Sequence, residues 1–563
     1  AMAAAMTAPG LTPAVTRRRE GALGLAVVDF TGRGEGLVEH DGWIVAADMR
    51  LDRPAGQGEA VFADAARRHG RDFPDRVDGD FAVALWCRDA GELWLGRDFI
   101  GVRPLAWTLR PGKWFAFASL PKGLHGAGLA SPAIDPGALG VALRQSFFRG
   151  SDSGFAEIAY LPAGHSLRIR ADARTRPQPH RAFRPDPARV GSWRGTADEA
   201  AGTLRRLLEE AVARRLPADG PVACHLSGGL DSSAVTVLAA RQARPQGGRV
   251  LALSMTTEQA IGPAEFDERP LIAAVLAQEP DIDHVVMHDG LRMPGQPEDP
   301  DWPGSRIGGY DDRMLAEAAA YGAGDLLSGV GGDEGASYNG ANLYAGLLRQ
   351  GRLRTLAREL PARARRDGIP LARAVRDRLL LPLLPEPVHR LFGRRGAAVY
   401  GKLGILGFLS PALRDEVQAR SMPPVLQTNT AGERVTAFAD HHIPSRCTYY
   451  AILAARHGLA VSFPLLDRRV VEFVLSLPAH LFLADGFSRQ PFRRAMRGVL
   501  PDRVRLAQSK VGLYDQRFLD YAPRRDALLA LVETLRATSP AAVAMFDLDA
   551  IAAGIEQLPG PDA

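Results

Sequence analysis

Residues 227–233 read Ser-Gly-Gly-Leu-Asp-Ser-Ser, and this stretch decides the fold of the chain. An apolar run at 222–226 precedes it and predicts a buried strand, and helical patterning follows from Ser232 to about Gln242. Two glycines let the backbone approach an anion closely, and serine hydroxyls stand where a helix N-terminus exposes unpaired amides. The stretch therefore predicts a phosphate-binding loop between a strand and a helix.

Asp231 has a separate role in this prediction. The loop lacks the GxxxxGK[ST] spacing of a Walker motif and its lysine. Because a carboxylate inside a phosphate-binding turn repels the anion unless a cation intervenes, Asp231 is predicted to ligate Mg²⁺. The plainer alternative is an ordinary Gly-Gly turn with Asp231 as a helix cap, which the full seven-residue string after a strand disfavours.

The segments around the loop alternate between strand and helix. Helical patterning at 196–215 leads into the first strand, and further apolar strands are predicted at 250–255 and 325–328, with helical segments between them. This alternation is typical of a doubly wound parallel sheet. Beyond Tyr338 the chain is predicted to be almost wholly helical.

The first third of the chain has a different pattern. Strands rich in Val, Trp, Phe and Ala are predicted at 25–30, 43–49, 81–89, 92–98, 114–120 and 165–170, with one helix at 60–69. They predict a layered antiparallel α+β domain at 20–173. A Pro- and Arg-rich linker at 174–195 then leads to the α/β domain at 196–563.

Length, cysteine content and hydropathy narrow the class of protein. A chain of 563 residues is too long for one ordinary core. Its three cysteines, Cys87, Cys224 and Cys447, are far apart and support neither a disulfide framework nor a zinc site. No long uncharged apolar run occurs, and residues 1–10 are too weakly hydrophobic for a signal peptide, so we expect a cytoplasmic protein without a membrane span.

The formal net charge of +5 is modest, but arginines concentrate at 349–395. Arg363, Arg365 and Arg366 lie close together there, and such a stretch could meet nucleic acid, an acidic peptide or a partner protein. The alternative is a solvated helical face. Because no nucleic-acid fold signature occurs, we expect no nucleic-acid partner.

The loop at 227–233 resembles that of the PP-loop ATP pyrophosphatases, in which ATP is cleaved between its α and β phosphates and an acyl-adenylate forms. A second stretch, Ser-Gly-Val-Gly-Gly-Asp-Glu at 328–334, follows another apolar strand and resembles the SGxGxDE motif of class B asparagine synthetases. The resemblance implies that Ser328 and Gly329 lie against adenine. It also implies that Asp333 joins Asp231 in holding the Mg²⁺ that bridges the phosphates of ATP.

The resemblance extends to residues 267–268, 464–467 and 489–510 and implies an α/β fold of the adenine nucleotide alpha hydrolase type. Lys510 would contact pyrophosphate and offset the charge on the departing oxygens, with a surface lysine as the alternative. Glu268 and Asp467 are expected to be structural. The implied catalytic residues are Asp231, Asp333 and Lys510, and the implied nucleotide-binding residues are Leu226, Ser227, Gly228, Gly229, Asp231, Ser232, Ser233, Met255, Thr256, Ser328 and Gly329.

The N-terminal domain resembles the Ntn-type glutaminase half of the same family, at 78–82, 97–98, 101–105 and 161–165. Glutaminases of this type need a cysteine as the first residue of the mature chain. No cysteine precedes Cys87, so we expect no glutamine hydrolysis. Val330 stands where asparagine synthetases carry a glutamate that handles ammonia, and an aliphatic side chain cannot move a proton. The attacking amine is therefore expected to belong to the substrate.

Two branches of the family resemble this arrangement, β-lactam synthetases and lasso peptide cyclases, and the strings at 329–335 and 464–469 look more like the second. That resemblance implies adenylation of an Asp or Glu side chain of a precursor peptide, which its N-terminal amine then attacks to close a macrolactam. It also implies a leader peptidase and a leader-binding protein as partners. His225 is a candidate base by position only, with a core histidine as the alternative. An asparagine synthetase and a non-catalytic scaffold remain open.

Overall fold

The computed structural model describes residues 1–7, 10–30, 36–52, 58–170, 172, 174–256, 267–288, 299–304, 309–340, 342–384, 404–421, 429–507 and 524–557. The N-terminal half is built on antiparallel sheets and the C-terminal half on a parallel sheet with many helices. This arrangement confirms the predicted fold class. No helix in the described ranges is long and apolar enough to cross a membrane.

The N-terminal half consists of short strands and four short helices. The helices are α1 (Met2–Met6), α2 (Ala60–His69), α3 (Pro121–Gly126) and α4 (Pro136–Gln145). The strands are β1 (Ala14–Glu20), β2 (Leu23–Asp29), β3 (Leu37–His40), β4 (Trp43–Leu51), β5 (Gly79–Cys87), β6 (Glu92–Arg97), β7 (Ala106–Arg110), β8 (Trp114–Ala118), β9 (Ala159–Tyr160), β10 (His165–Arg170) and β11 (His180–Arg181). The six predicted strands and the predicted helix are all present, whereas β1, β3, β7, β9 and β11 were not predicted.

These strands form a layered core. Six of them pair in the order β11-β10-β6-β5-β4-β3, a second sheet has the order β8-β7-β9, and β1 pairs with β2, all antiparallel. The central strands β4 and β5 bury both faces, one against α2 and Phe73 and the other against a cluster that includes Trp107 of β7. Strand β11 lies within the predicted linker at 174–195, and the domain boundaries stay predictions.

The parallel sheet of the C-terminal half has the order β14-β13-β12-β15-β16, and every neighbouring pair is parallel. Along the chain its first elements are α5 (Ala197–Ala213), β12 (Val222–His225), α6 (Leu230–Ala243), β13 (Val250–Thr256), α7 (Arg269–Gln278), β14 (Asp283–His288), α8 (Tyr310–Ala320) and β15 (Asp325–Leu327). The last strand is β16 (Ala460–Ser462). This three-residue strand is a short exception to the predicted, almost wholly helical chain beyond Tyr338.

The other α-helices of the C-terminal half include several that pack against α5, α7 and α8, and others that pack against α4 of the N-terminal half. Their described ranges are Leu343–Arg349, Leu353–Arg366, Leu371–Val375, Gly404–Gly407, Pro411–Arg420, Ala431–Ala439, His442–Ala455, Arg468–Ser476, Gln490–Ala495, Asp502–Arg505, Arg525–Thr538, Pro540–Met545 and Leu548–Glu556. Strand β16 was missed because three apolar residues between helices carry no periodicity of their own.

The glutaminase-like string at 97–98 has a structural role. Both side chains are buried, and the carboxylate of Asp98 accepts hydrogen bonds from the amides of Ile100 and Val102 at 3.1 and 3.0 Å. Arg97 donates to the carbonyls of Arg103, Leu161 and Gly101, each at 2.7 Å. Burial raises the pKa of Asp98 to about 6. These residues hold the loops of the domain together whether or not it hydrolyses glutamine.

Candidate active site

The predicted phosphate loop connects β12 to α6 at the carboxyl edge of the parallel sheet, where doubly wound folds bind their ligands. Gly228 has a φ of +69°, and a Cβ there would lie 2.9 Å from Cβ of Leu271. The hydroxyls of Ser227 and Ser232 are 2.9 Å apart, and the amide of Ser227 donates to Oγ of Ser232 at 3.1 Å. Two hydroxyls thus tie the loop to the first turn of α6.

The second predicted loop follows β15, the strand next to β12, so both loops leave the same edge of the sheet. They touch through glycines. A Cβ on Gly329 would lie 2.6 Å from the amide nitrogen of Ser232, and one on Gly332 would lie 2.3 Å from Cγ of Asp231. Larger residues at these two positions would force the loops apart, so the glycines let the second motif close over the first.

The structure brings Asp231 and Asp333 together. Arg489 precedes the helix Gln490–Ala495, and its guanidinium lies 3.4 Å from Oδ2 of Asp231 and 2.5 Å from Oδ1 of Asp333. The same side chain donates to Oγ of Ser337 at 3.2 Å. Two carboxylates from loops about one hundred residues apart therefore face one small volume that already accommodates a positive group.

This donor set fits Mg²⁺. The two carboxylates and the hydroxyls of the first loop are hard oxygen ligands, which Mg²⁺ prefers when it bridges phosphates. Because the guanidinium of Arg489 contacts both carboxylates, their negative charges face one common position. Asp231 and Asp333 are the residues that would hold the ion, and the amides at the start of α6 would meet the phosphates.

A cavity of about 260 Å³ opens beside these acids. Its described lining residues are His225, Leu226, Ser227, Gly229, Asp231, Ser232, Leu253, Met255, Glu268, Tyr310, Asp311, Met314, Ser328, Gly329, Val330, Gly331, Gly332, Asp333, Glu334, Arg446 and Tyr450. Eight of the predicted nucleotide-binding residues are in this set. The cavity lies between the two motifs and the helix His442–Ala455.

Three predicted nucleotide-binding residues lie off the cavity wall. Gly228 packs against Leu271, and Ser233 is fully buried, with its amide donating to the carbonyl of Gly229 at 3.1 Å. Thr256 is buried at the end of β13, where its hydroxyl lies 3.4 Å from Nδ1 of His288. Lys510 lies outside the described residues, so its predicted contact with pyrophosphate stays a prediction.

His225 lies on the cavity wall but is a poor proton acceptor. Its Nδ1 is 3.2 Å from Oγ of Ser328, and its ring packs at 5.7 Å from the ring of Tyr450. Burial lowers the pKa of His225 to about 4, so the imidazole is neutral at pH 7. The core-histidine alternative accounts for these contacts without a catalytic role.

Arg446 and Tyr450 are among the wall residues to which sequence reasoning gave no role. Both project from the helix His442–Ala455, and the hydroxyls of Tyr449 and Tyr450 lie 3.2 and 3.4 Å from the carboxylate of Asp311. The available signal was the four-residue spacing of 442, 446 and 450, which places these side chains on one helix face.

The two residues that we expected to be structural lie in different places. Asp467 is buried and accepts hydrogen bonds from Arg215 at 2.9 Å and from Arg469 at 2.7 Å, as the structural interpretation requires. Glu268 lies on the cavity wall at the entrance to α7.

A larger cavity, about 960 Å³, lies between the sheets of the N-terminal half. Its wall is mainly apolar and includes Ala26, Ala46, Ala82 and Phe117. None of its described lining residues is a cysteine. Cys87 stands at the end of β5, and Cys224 and Cys447 are buried in the C-terminal half.

Comparison with known proteins agrees with this geometry. Residues 203–560, more than half of the chain, match the family model described as asparagine synthase. The chain belongs to the asparagine synthase family. Residues 55–181 match a second model, described as a glutamine amidotransferase domain. Members of the asparagine synthase family are ATP-dependent ligases.

Three relatives show how far the similarity extends. Amidase chry2 of Gibberella zeae is 29% identical over 283 residues, which cover 48% of this chain and 41% of that protein. Asparagine synthetase [glutamine-hydrolyzing] 3 of Bacillus subtilis is 30% identical over 191 residues, 31% of this chain and 28% of that protein. A putative asparagine synthetase of Mycobacterium tuberculosis is 32% identical over 190 residues, 33% of this chain and 28% of that protein. The chain thus spans less than half the length of these relatives of the asparagine synthase family.

Replacing Gly332 by alanine should weaken the binding of Mg-ATP by this asparagine synthase family member at least ~10-fold, which corresponds to about 1.4 kcal/mol. The new Cβ would lie 2.3 Å from Cγ of Asp231, so the carboxylate must move. Calorimetric titration with Mg-ATP measures the change. Gly202→Ala is the matched control, because a Cβ there meets nothing within 4 Å. Equal affinities in the two variants would contradict the predicted role of the contact.

Proposed function

We propose that this chain forms an amide within a ribosomal precursor peptide, as a lasso peptide cyclase does. The observation that carries the proposal is the convergence of Asp231 and Asp333 on one charged position at the carboxyl edge of a parallel sheet. A scaffold would not need two loops closed over each other through Gly329 and Gly332. The proposal therefore begins with adenylation of a carboxylate.

In the first step an oxygen of an Asp or Glu side chain of the peptide attacks the α-phosphorus of ATP. A C–O–P linkage forms, the bond between the α-phosphorus and the bridging oxygen breaks, and pyrophosphate leaves. The amides and hydroxyls at 227–233 bind the phosphates, and Asp231 and Asp333 hold the metal. Mg²⁺ bound there supplies neutralisation of the phosphate charge.

In the second step the N-terminal amine of the same peptide attacks the acyl carbon. A C–N bond forms, the C–O bond to phosphate breaks, AMP leaves, and the amine gives up a proton. The protein contributes proximity, because the two ends of one substrate meet in a small cavity. Adenylation contributes the leaving group, so the amine can attack without prior activation.

One feature supports an amine that belongs to the substrate. Val330 lies on the wall of the nucleotide cavity and offers only an aliphatic surface there. Such a side chain cannot move a proton, so handling of ammonia at this wall is disfavoured.

The alternative within the same chemistry is a β-lactam synthetase, which closes a small amino acid derivative. The strings at 329–335 and 464–469 favour the peptide branch by resemblance. If that branch is correct, a leader peptidase and a leader-binding protein are the partners that we propose. The basic segment at 349–395 is the proposed contact surface for them.

The structure refines which arginines of that segment are available to a partner. Arg363 donates to Asp367 at 2.9 Å, and the guanidinium of Arg366 lies over the ring of Phe487. Arg365 is exposed. Reversal of Arg363 and Arg366 would therefore disturb local packing, so Arg365→Glu alone is the sharper test of partner binding. Residues 385–395 lie outside the described residues.

The proposed reaction is tested with purified protein, Mg-ATP and the leader-free peptide encoded by a short reading frame beside the gene of this chain. We expect pyrophosphate release and loss of the mass of one water from the peptide. A peptide with its Asp or Glu residues replaced by Asn or Gln should give neither. Release driven only by a small amino acid derivative would support the β-lactam alternative. Asparagine formed from aspartate and glutamine would overturn the proposal.

A further inference from the structure

The acidic side chains that line the nucleotide cavity disfavour binding of the second substrate, a peptide carboxylate. Five of the described lining residues carry a carboxylate: Asp231, Glu268, Asp311, Asp333 and Glu334. Among those same lining residues, Arg446 alone carries a fixed positive charge. A substrate carboxylate that enters this cavity meets these carboxylates, two of which, Asp231 and Asp333, share the guanidinium of Arg489, and like charges disfavour its ionised form. Recognition of the substrate therefore requires a cation on the wall.

Arg446 occupies the middle of one face of the helix His442–Ala455. One turn before it, Nε2 of His442 lies 3.2 Å from Oε1 of Glu334, in the motif that carries Asp333. One turn after it, the ring of Tyr450 packs at 5.7 Å from the ring of His225, at the end of β12. Because residues four apart lie on the same helix face, Arg446 stands between the second motif and the wall beside the first.

Contacts with α8 hold the helix His442–Ala455 in place, whereas the guanidinium of Arg446 is available to bind a substrate. Tyr449 and Tyr450 anchor the helix to Asp311 of α8 through their hydroxyls, at 3.2 and 3.4 Å. Arg446 is exposed and makes no hydrogen bond or ion pair within the described ranges of the chain. Arg489, the other arginine near the acids, is already engaged by Asp231 and Asp333. A planar guanidinium that is exposed on a fixed helix is suited to bind a carboxylate with two parallel hydrogen bonds.

We propose that Arg446 binds the side-chain carboxylate of the peptide before its activation and so helps to select an acidic acceptor. The inference rests on the proposed function, which it refines by assigning the recognition of the acceptor group to this residue. The contact neutralises the charge of the carboxylate and orients one of its oxygens towards the phosphate loop. Because the acyl group is neutral once it is adenylated, the ion pair belongs mainly to the bound ground state. Its loss should appear mainly in the KM for the peptide.

The test is Arg446→Gln in peptide-dependent pyrophosphate release, with the leader-free peptide of the preceding experiment. Charge-assisted hydrogen bonds contribute about 1.5–3 kcal/mol, so the KM for the peptide should rise at least ~10-fold. The KM for ATP should stay within about twofold, because the nucleotide is held by the loop at 227–233. In Arg446→Lys the KM for the peptide should lie between the values of the unsubstituted protein and of Arg446→Gln. Lysine keeps the positive charge but cannot donate two parallel hydrogen bonds from one planar group.

Arg110→Gln is the matched control, because Arg110 is also exposed, at the end of β7, and does not line the cavity. It should leave both KM values unchanged, and circular dichroism melts should show that every variant is folded. An unchanged peptide KM in Arg446→Gln overturns the inference. An equal rise in the KM for ATP also overturns it, because the guanidinium would then serve the nucleotide. Absence of peptide-dependent pyrophosphate release in the unsubstituted protein would instead overturn the proposed function itself.

Discussion

Asp231→Asn should lower the rate of peptide-dependent pyrophosphate release by at least ~10²-fold, the scale of losing one preorganised electrostatic contact in an active site. Asparagine keeps the shape of the side chain but removes the charge that Mg²⁺ requires of a ligand. The change also leaves the guanidinium of Arg489 with Asp333 as its acidic contact at this position. Pyrophosphate release over a range of Mg²⁺ concentrations measures the effect, and excess Mg²⁺ should not restore the rate.

Two further variants separate loss of the metal site from loss of folding. Asp333→Asn should reproduce the defect, and the double variant should be little worse than either single one, because ligands of one ion act as a unit. Asp198→Asn is the control, since Asp198 pairs with Arg494 at the surface with 88% of its side chain exposed. A normal rate in Asp231→Asn with an unchanged Mg²⁺ requirement would remove the basis of the catalytic interpretation.

Sequence reasoning located the parts of the site whose residues are consecutive in the chain. Residues 227–233 and 328–334 each follow a predicted strand, and parallel strands place their carboxyl ends at one edge, so their proximity followed from topology. Arg489 and Arg446 do not belong to either string, and the spacing of 442, 446 and 450 indicates only a shared helix face. Arg489 reaches Asp231 across 258 positions of sequence, and only the packing of the helices brings it there.

The same reasoning explains the errors at secondary-structure level. Strands β9, β11 and β16 have two or three residues each, too few to show a period, and their neighbours in the sheet define them as strands. β1 contains three successive arginines and pairs with β2 at the surface, so its composition resembles a loop. Thr256 was placed near adenine because β13 ends there, yet its side chain points into the contact with His288. Alternation along a strand decides which face a terminal residue joins.

Residues of the motifs in the glutaminase-like half have structural roles. Arg97 donates to three carbonyls of its own domain and also to the hydroxyl of Thr448, on the helix that carries Arg446. Asp80, from the string at 78–82, is buried beside Arg50 and lies 3.7 Å from Arg215 of the synthetase half. The resemblance identified these residues as belonging to a glutaminase-like domain. Their contacts with Thr448 and Arg215 build an interface with the synthetase half, which holds the wall of the nucleotide cavity in place.

Asp467→Ala should lower the free energy of unfolding by about 3–5 kcal/mol, the usual effect of breaking a buried ion pair from one side. Arg215 has only 3% of its side chain exposed, and its closest acid after the change is Asp80, at 3.7 Å. Asp467 also accepts a hydrogen bond from the amide of Arg469 at the start of the helix Arg468–Ser476. Urea unfolding followed by circular dichroism and tryptophan fluorescence measures the loss.

The same residue gives the stability a predictable dependence on pH. Burial tends to raise the pKa of Asp467, but the hydrogen bond from Arg469 and the charge of Arg215 outweigh it and lower the pKa to about 2. The unfolded value is about 3.9, so the stabilisation is fully present above about pH 4 and is lost as the pH falls towards 2. In Asp467→Ala this part of the acid sensitivity should disappear.

Asp547→Ala is a control that measures how much unfolding free energy is lost when only a helix cap is removed. Asp547 accepts a hydrogen bond from the amide of Ala550 at 3.0 Å at the start of the helix Leu548–Glu556. Loss of such a cap costs about 1 kcal/mol. The excess loss in Asp467→Ala is therefore the contribution of the two arginines. If both variants lose the same stability, the contacts of Asp467 with the two arginines add nothing beyond a helix cap, and the predicted contribution of the buried ion pair is contradicted.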